Sequence, residues 1–181
     1  MLSGLAGRYL RYDEDMGEAN CRRATPVRQG REQSRARLIA HDAMPSFRIL
    51  EHTADIGFEA FGSTLTEVFE NAARALAHLI AEPATVEPRA EIRIEVQGAN
   101  PPDLLVNWLS EILFQHDAEH WLFRDFRVES LDDHAATGIA LGEKFDEARH
   151  QTNLMVKAIT YHQLSLQQTA GGWRAQVYVD I

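Results

Sequence analysis

Cysteine is nearly absent from this chain: Cys21 is the only one in 181 residues. That excludes an intramolecular disulfide and any Cys-x-x-Cys pair for zinc or redox work. No apolar run approaches the ~20 residues that a membrane-spanning helix needs. The opening residues, Met1 to Arg8, lack the apolar stretch and cleavage site of a secretory leader, so the cytoplasm is the expected compartment. Gly-x-Gly-x-x-Gly, P-loop, Gly-x-Ser-x-Gly and His-Glu-x-x-His patterns are all missing. Dinucleotide enzymes, P-loop enzymes, serine hydrolases and zinc proteases lose their usual signatures with them. Positive charge is scarce as well, with 18 Lys and Arg against 27 Asp and Glu, for a net charge of −9.

What is present fits a single domain with a tail. Hydrophobic residues make up 45% and charged residues 25%, ordinary values for a globular protein. The charge is unevenly placed. Residues 1–43 carry eight Arg and six acids, including Arg22-Arg23, Arg28, Arg31, Arg35 and Arg37. The rest holds ten basic and twenty-one acidic residues, a net −11. A domain so acidic repels a phosphate backbone over most of its surface, so tight direct nucleic-acid binding is not expected. Such a surface suits a cation or a basic partner. Residues 1–43 read as a disordered extension, with translation from Met44 and a docking arm as the alternatives. The folded domain is expected over 44–181.

Patterning becomes clear at Phe47. Ile56 to Phe61 alternates as a strand does. From Leu65 to Ile80, apolar residues recur at steps of three and four, one face of an amphipathic helix. Thr64 and Glu67 form a capping box at its start. Glu91 to Val96 alternates strictly. Asn100-Pro101-Pro102-Asp103 opens a second helix, with Asn at the cap, Pro at the first position and an acid in the first turn. Five more strands are expected over 122–130, 136–142, 154–161, 163–168 and 173–181, the last entered through a Gly171-Gly172 turn. Two helices among mostly antiparallel strands give an α+β fold, a β-sheet sandwich with two amphipathic helices.

Five places carry candidate chemistry. Glu51-His52-Thr53-Ala54-Asp55 is a polar insert between strands, either a turn or a source of oxygen ligands. Asp180 lies opposite the apolar face of the last strand, one residue before the Ile181 carboxylate. Two anions so close are either a solvated terminus or a place for a cation between them, and oxygen-only sets suit Ca²⁺, Mg²⁺ or Mn²⁺. His116 and His120, four apart, are either a metal pair or a polar helix end. Residues 142–150 form a charged loop, solvated or functional. Lys157, in an otherwise apolar strand, is either a wet-face residue or a cation beside an anionic site.

Together these segments resemble the archease family. The shared pieces are His52-Thr53-Ala54-Asp55, the Gly-x-x-Leu-x-x-x-Phe-x-x-Ala-Ala run from Gly62 to Ala73, Asp103 to Glu111, Val156 to His162 and Trp173 to Ile181. The likeness runs from about Phe47 to Ile181 and leaves out the N-terminal extension. It implies an accessory protein with no catalytic residue of its own. Its partner would be an RtcB-type RNA ligase of tRNA splicing and RNA repair, whose guanylylation and multiple turnover it promotes. Contact with GTP and tRNA would be indirect, through the ligase. The resemblance also implies a divalent metal on Asp55, Asp180 and Ile181, with His52 and Lys157 beside it or facing the partner. Competing readings are a metal-dependent phosphohydrolase, drawing on His116 or His120, and a general chaperone or adaptor for RNA-modifying enzymes.

Overall fold

The computed structural model describes residues 45–51 and 56–181, without the side chain of Glu51. The expectations for the N-terminal extension, His52 and Asp55 fall outside these residues. In chain order the elements are β1 (Phe47–Glu51), β2 (Ile56–Gly62), α1 (Leu65–Ile80), a 3₁₀ turn (Pro83–Thr85) and β3 (Ala90–Gln97). There follow α2 (Pro101–Glu119), β4 (Trp121–Leu131), β5 (Ala135–Lys144), β6 (Ala158–Thr169) and β7 (Gly172–Asp180). A four-stranded sheet runs β1-β2-β7-β6 and a three-stranded sheet β3-β5-β4, with every pairing antiparallel. The α+β sandwich is therefore the observed architecture.

The two sheets meet through the helices. Helix α1 packs on β1, β2 and β7 of the larger sheet and on β4 of the smaller. Helix α2 packs on β6 and, across the molecule, on β3, β4 and β5. A helix pressed from two sides must be apolar around much of its circumference. In α1 that role falls to Val68, Phe69, Ala72, Ala73, Ala75, Leu76, Ala77, Leu79 and Ile80, all buried. Against α2, β5 turns a row of small residues inward: Ala136, Gly138, Ala140 and Gly142. The fully buried Trp108 ring sits over Gly138. A Cβ there would lie 2.9 Å from its Cη2 atom.

Both helix starts follow the sequence. The Thr64 side chain accepts from Glu67 N at 3.1 Å, and Asn100 accepts from Asp103 N at 3.0 Å. The return half of the Thr64 box is shifted by one residue, because the Glu67 carboxylate takes the Ser63 N–H at 2.7 Å. At its far end α2 stops on His120, which adopts the left-handed conformation with φ 57°.

The two strands expected at 154–161 and 163–168 are one strand. β6 pairs with β7 through Thr160, breaks register, and resumes at Ser165. The intervening bulge holds Gln163 at φ 50°, and the Gln176 side chain donates to its carbonyl at 3.3 Å. Residues 154–157 lie before the strand, which begins at Ala158.

Candidate functional site

Strand β7 lies between β2 and β6, so its end is fixed from both sides. Ile56, the residue after Asp55 in the chain, pairs with Val179, and Ala158 pairs with Asp180. Alternation along β7 buries Ala175, Val177 and Val179 against the helices and leaves Asp180 exposed on the opposite face. Tyr178 shares that outer face yet is buried. Gly57 beneath it has no side chain, and a Cβ there would come within 2.8 Å of the tyrosine ring. The His162 ring closes its other flank edge-on at 6.0 Å.

Lys157 joins the two sequence candidates at this end. Its backbone N–H donates to the Asp180 carbonyl at 2.7 Å, and its ammonium donates to the Ile181 backbone oxygen at 2.8 Å. The lysine proposed as a neighbour of the site therefore holds the last two residues in place. Among the described residues, no three His, Cys, Asp or Glu side chains converge as a metal site. A ligand set here would have to combine the Asp180 carboxylate and the Ile181 oxygen with groups outside those residues. Donors of this kind are all oxygen, which fits a hard divalent cation. The Lys157 charge beside them offsets part of the negative charge such a cation would meet.

The histidine pair serves the helix end. His116 Nδ1 lies 2.9 Å from the Trp121 carbonyl, and the backbone N–H of His120 returns to the His116 carbonyl at 3.0 Å.

In the 142–150 segment Glu143 and His150 are buried, while residues 144–149 between them are exposed to solvent. Glu143 is 5% exposed. It accepts from both Nη atoms of Arg149 at 3.2 and 2.7 Å, from Glu87 N at 2.8 Å and from His150 Nε2 at 3.0 Å. His150, also buried, accepts at Nδ1 from Asp146 N at 2.8 Å, so its Nε2 is the donor. The Arg149 hydrogen bonds hold the Glu143 carboxyl far below the usual range against the opposing pull of burial, and Glu143 in turn raises Arg149. An open cleft of about 710 Å³ above it is lined by Arg89, Trp121, Lys144, Phe145 and Arg149, among others. Its cations are already committed to carboxylates: Arg89 to Glu87 and Glu143, Arg149 to Glu143 and Asp146, Lys144 to Glu119. A second buried acid, Glu59, is clasped by Arg48 of β1 and Arg174 of β7. Sequence reasoning missed Glu59, whose one signal was its place in an otherwise apolar strand.

Two antiparallel sheets clasping a pair of helices place the chain among small α+β proteins. The chain belongs to the archease protein family (MTH1598/TM1083), whose family model matches residues 47–181. The archease of Methanosarcina mazei is 41% identical over 146 residues, covering 76% of this chain and all of the relative. That of Pyrococcus furiosus is 44% identical over 135 residues, covering 72% of this chain and 95% of the relative. The solution structure of Methanobacterium thermoautotrophicum protein 1598 superposes with a TM-score of 0.64 at 35% identity, covering 75% of this chain and 99% of that one. A Thermotoga maritima archease, described as a possible chaperone, shares the fold at 19% identity, with a TM-score of 0.52 over 73% of this chain and 94% of that one. Among the described residues no helix is long and apolar enough to cross a membrane.

Proposed function

We propose that this protein is a cytoplasmic, non-catalytic activator of an RtcB-type RNA ligase, acting through a divalent cation held by Asp55, Asp180 and Ile181. The observation that carries the reading is the double contact of Lys157 with Asp180 and Ile181. The bond to Asp180 is ordinary main-chain pairing; the ammonium set on the Ile181 oxygen is the part that the lysine side chain supplies, and it fixes that oxygen beside Asp180. Strand pairing of Ile56 with Val179 supports Asp55 as the third contributor, since one peptide bond separates it from that pair. The cation, when bound, would supply positive charge and Lewis acidity next to a phosphate or carboxylate of the ligase–GTP complex. Asp180 would carry the charge, Ile181 would offer a backbone oxygen, and Lys157 would keep that oxygen from swinging away. His52 would act beside this set or toward the partner. Ca²⁺, Mg²⁺ and Mn²⁺ all fit oxygen-only donors. The nucleophile that takes the guanylyl group would belong to the ligase, and tRNA would be met only through it.

The test is ligase guanylylation with GTP and Mn²⁺, with and without substoichiometric amounts of this protein. Stimulation by the wild type and its loss in Asp55→Ala, together with loss of Mn²⁺ binding by calorimetry, are the expected results. An Asp55→Ala variant that stimulates fully would remove the cation from the account. Hydrolysis of phosphoesters by the protein alone would favour the phosphohydrolase reading instead.

A further inference from the structure

At the other end of β2 and β7 from Asp180, Gly62 pairs with Trp173. A cavity of about 310 Å³ opens there, lined by Phe61 and Trp173 together with Ser46, Glu67 and Asn71, among others. Its frame is closely packed. Gly172, at φ 127°, brings the β6–β7 turn so near that a Cβ there would lie 2.3 Å from the Gly62 carbonyl. A Cβ on Gly62 would lie 2.6 Å from that of Glu67. Phe61 is held through both backbone groups. Its N–H donates to the Ser46 carbonyl at 2.9 Å, and its carbonyl accepts from the Asn71 amide at 2.7 Å. A cavity framed this way exists before a ligand arrives, as small-molecule sites commonly do.

Glu67 is the only ionisable residue among the described residues of the lining. Its place in the helix cap accounts for half of its carboxylate. The Ser63 N–H at 2.7 Å and the Ser63 hydroxyl at 2.5 Å both donate to Oε2. Among the described residues, Oε1 takes no hydrogen bond and no cation pairs with the group. The Ser63 bonds hold the carboxyl below its ordinary value, so it is ionised at neutral pH. That charge also offsets the positive end of α1, which would otherwise draw an anion.

Two aromatic rings and an ionised carboxylate around one cavity are the chemistry that receives an organic cation. Guanidinium fits best, because it is planar, weakly hydrated, stacks on aromatic rings and presents donors edge-on to a carboxylate. A hard metal ion is a poor match, since it takes about six oxygens and Oε1 is one. The net −11 of the domain adds attraction for a cation at longer range.

We propose that this cavity is a second binding site, separate from the Asp180 end, which takes a guanidinium group against Phe61, Trp173 and the Oε1 oxygen of Glu67. It does not rest on the activator reading.

The experiment titrates the full chain with butylguanidinium, with its neutral isostere butylurea and with spermidine, following the Trp173 indole N–H by NMR and the heat by calorimetry. Glu67→Gln keeps an acceptor for Ser63 while removing the charge, and Glu91→Gln removes one exposed charge on β3 instead. Expected is saturable binding of butylguanidinium that moves the Trp173 signal. Glu67→Gln, its spectrum otherwise that of the folded wild type, should bind about fivefold more weakly, and Glu91→Gln should bind as the wild type does. Binding that does not saturate, or that leaves the Trp173 signal in place, overturns the site. Equal weakening in Glu91→Gln also overturns it, since the cation would then answer only to the overall charge. Butylurea binding as tightly would make the cavity an apolar recess, and tighter binding of spermidine would overturn the assignment to guanidinium.

Discussion

Replacing Glu143 with Gln changes almost no volume and removes one charge from the centre of the hydrogen-bonded cluster it forms with Arg149 and His150. The carboxylate takes three donors on Oε1, from Glu87, Arg149 and His150, and a further Arg149 donor on Oε2. An amide satisfies one side only. With its oxygen toward Glu87 and His150, its NH₂ faces the Arg149 guanidinium donor to donor. Breaking a buried charge pair costs roughly 3–5 kcal/mol, but Arg149 keeps 35% of its side chain in water, which lowers the loss to about 2–3 kcal/mol. At a urea m-value of about 1–3 kcal/mol/M, the unfolding midpoint should fall by roughly 0.7–3 M. The pH dependence has a fixed sign. The folded carboxyl titrates below its ordinary value of 4.5, so the unfolded chain binds the proton first as pH falls. The wild-type advantage is therefore complete near neutrality and shrinks as pH drops below about 4.5 toward the depressed folded value. Urea titrations of both proteins at pH 7 and at successively lower pH read this directly. Midpoints that coincide at pH 7, or a gap that stays constant on acidification, would refute the account of this cluster.

Gly138→Ala should destabilise the fold by about 1–3 kcal/mol through overpacking, because the new methyl would sit 2.5 Å from the Arg127 carbonyl and 2.9 Å from Trp108. Thermal melting would show it as a drop of several degrees. Thr64→Ala removes the acceptor for Glu67 N and should cost about 1 kcal/mol, measurable as a smaller shift in the same melt. Lys157→Met keeps the strand pairing through its backbone while releasing Ile181. Under the activator reading it should reduce ligase stimulation without lowering Mn²⁺ affinity, since a nearby positive charge has been removed; a fall in affinity by calorimetry would argue against that placement.

The helices were legible because their apolar steps and caps are local, and Thr64, Asn100 and Asp103 occupy the positions their residue types favour. The strand alternation of β3 and β7 was legible for the same reason. The break in β6 was not. Gln163 adopts a left-handed conformation that glycine or asparagine usually marks, and its support comes from Gln176 on another strand. Nor does periodicity reveal that α1 is pressed from both sides, although its many alanines follow from that once seen. At the site, the outward direction of Asp180 was readable from alternation, whereas the Lys157 bridge depends on the register of β6 against β7. Glu143 and His150 looked like loop residues because their burial is created by partners far along the chain, such as Glu87.

Strand β7 is the last to be formed in chain order, yet it fills the gap between β2 and β6. Until it is inserted, β1 and β2 lack their inner neighbour and Lys157 has nothing to grip. Such long-range pairing is slow to form. The acidic end exists only where strands from opposite ends of the domain have met, Ile56 against Val179 and Ala158 against Asp180, so its geometry belongs to the closed sheet and to no single stretch of the chain.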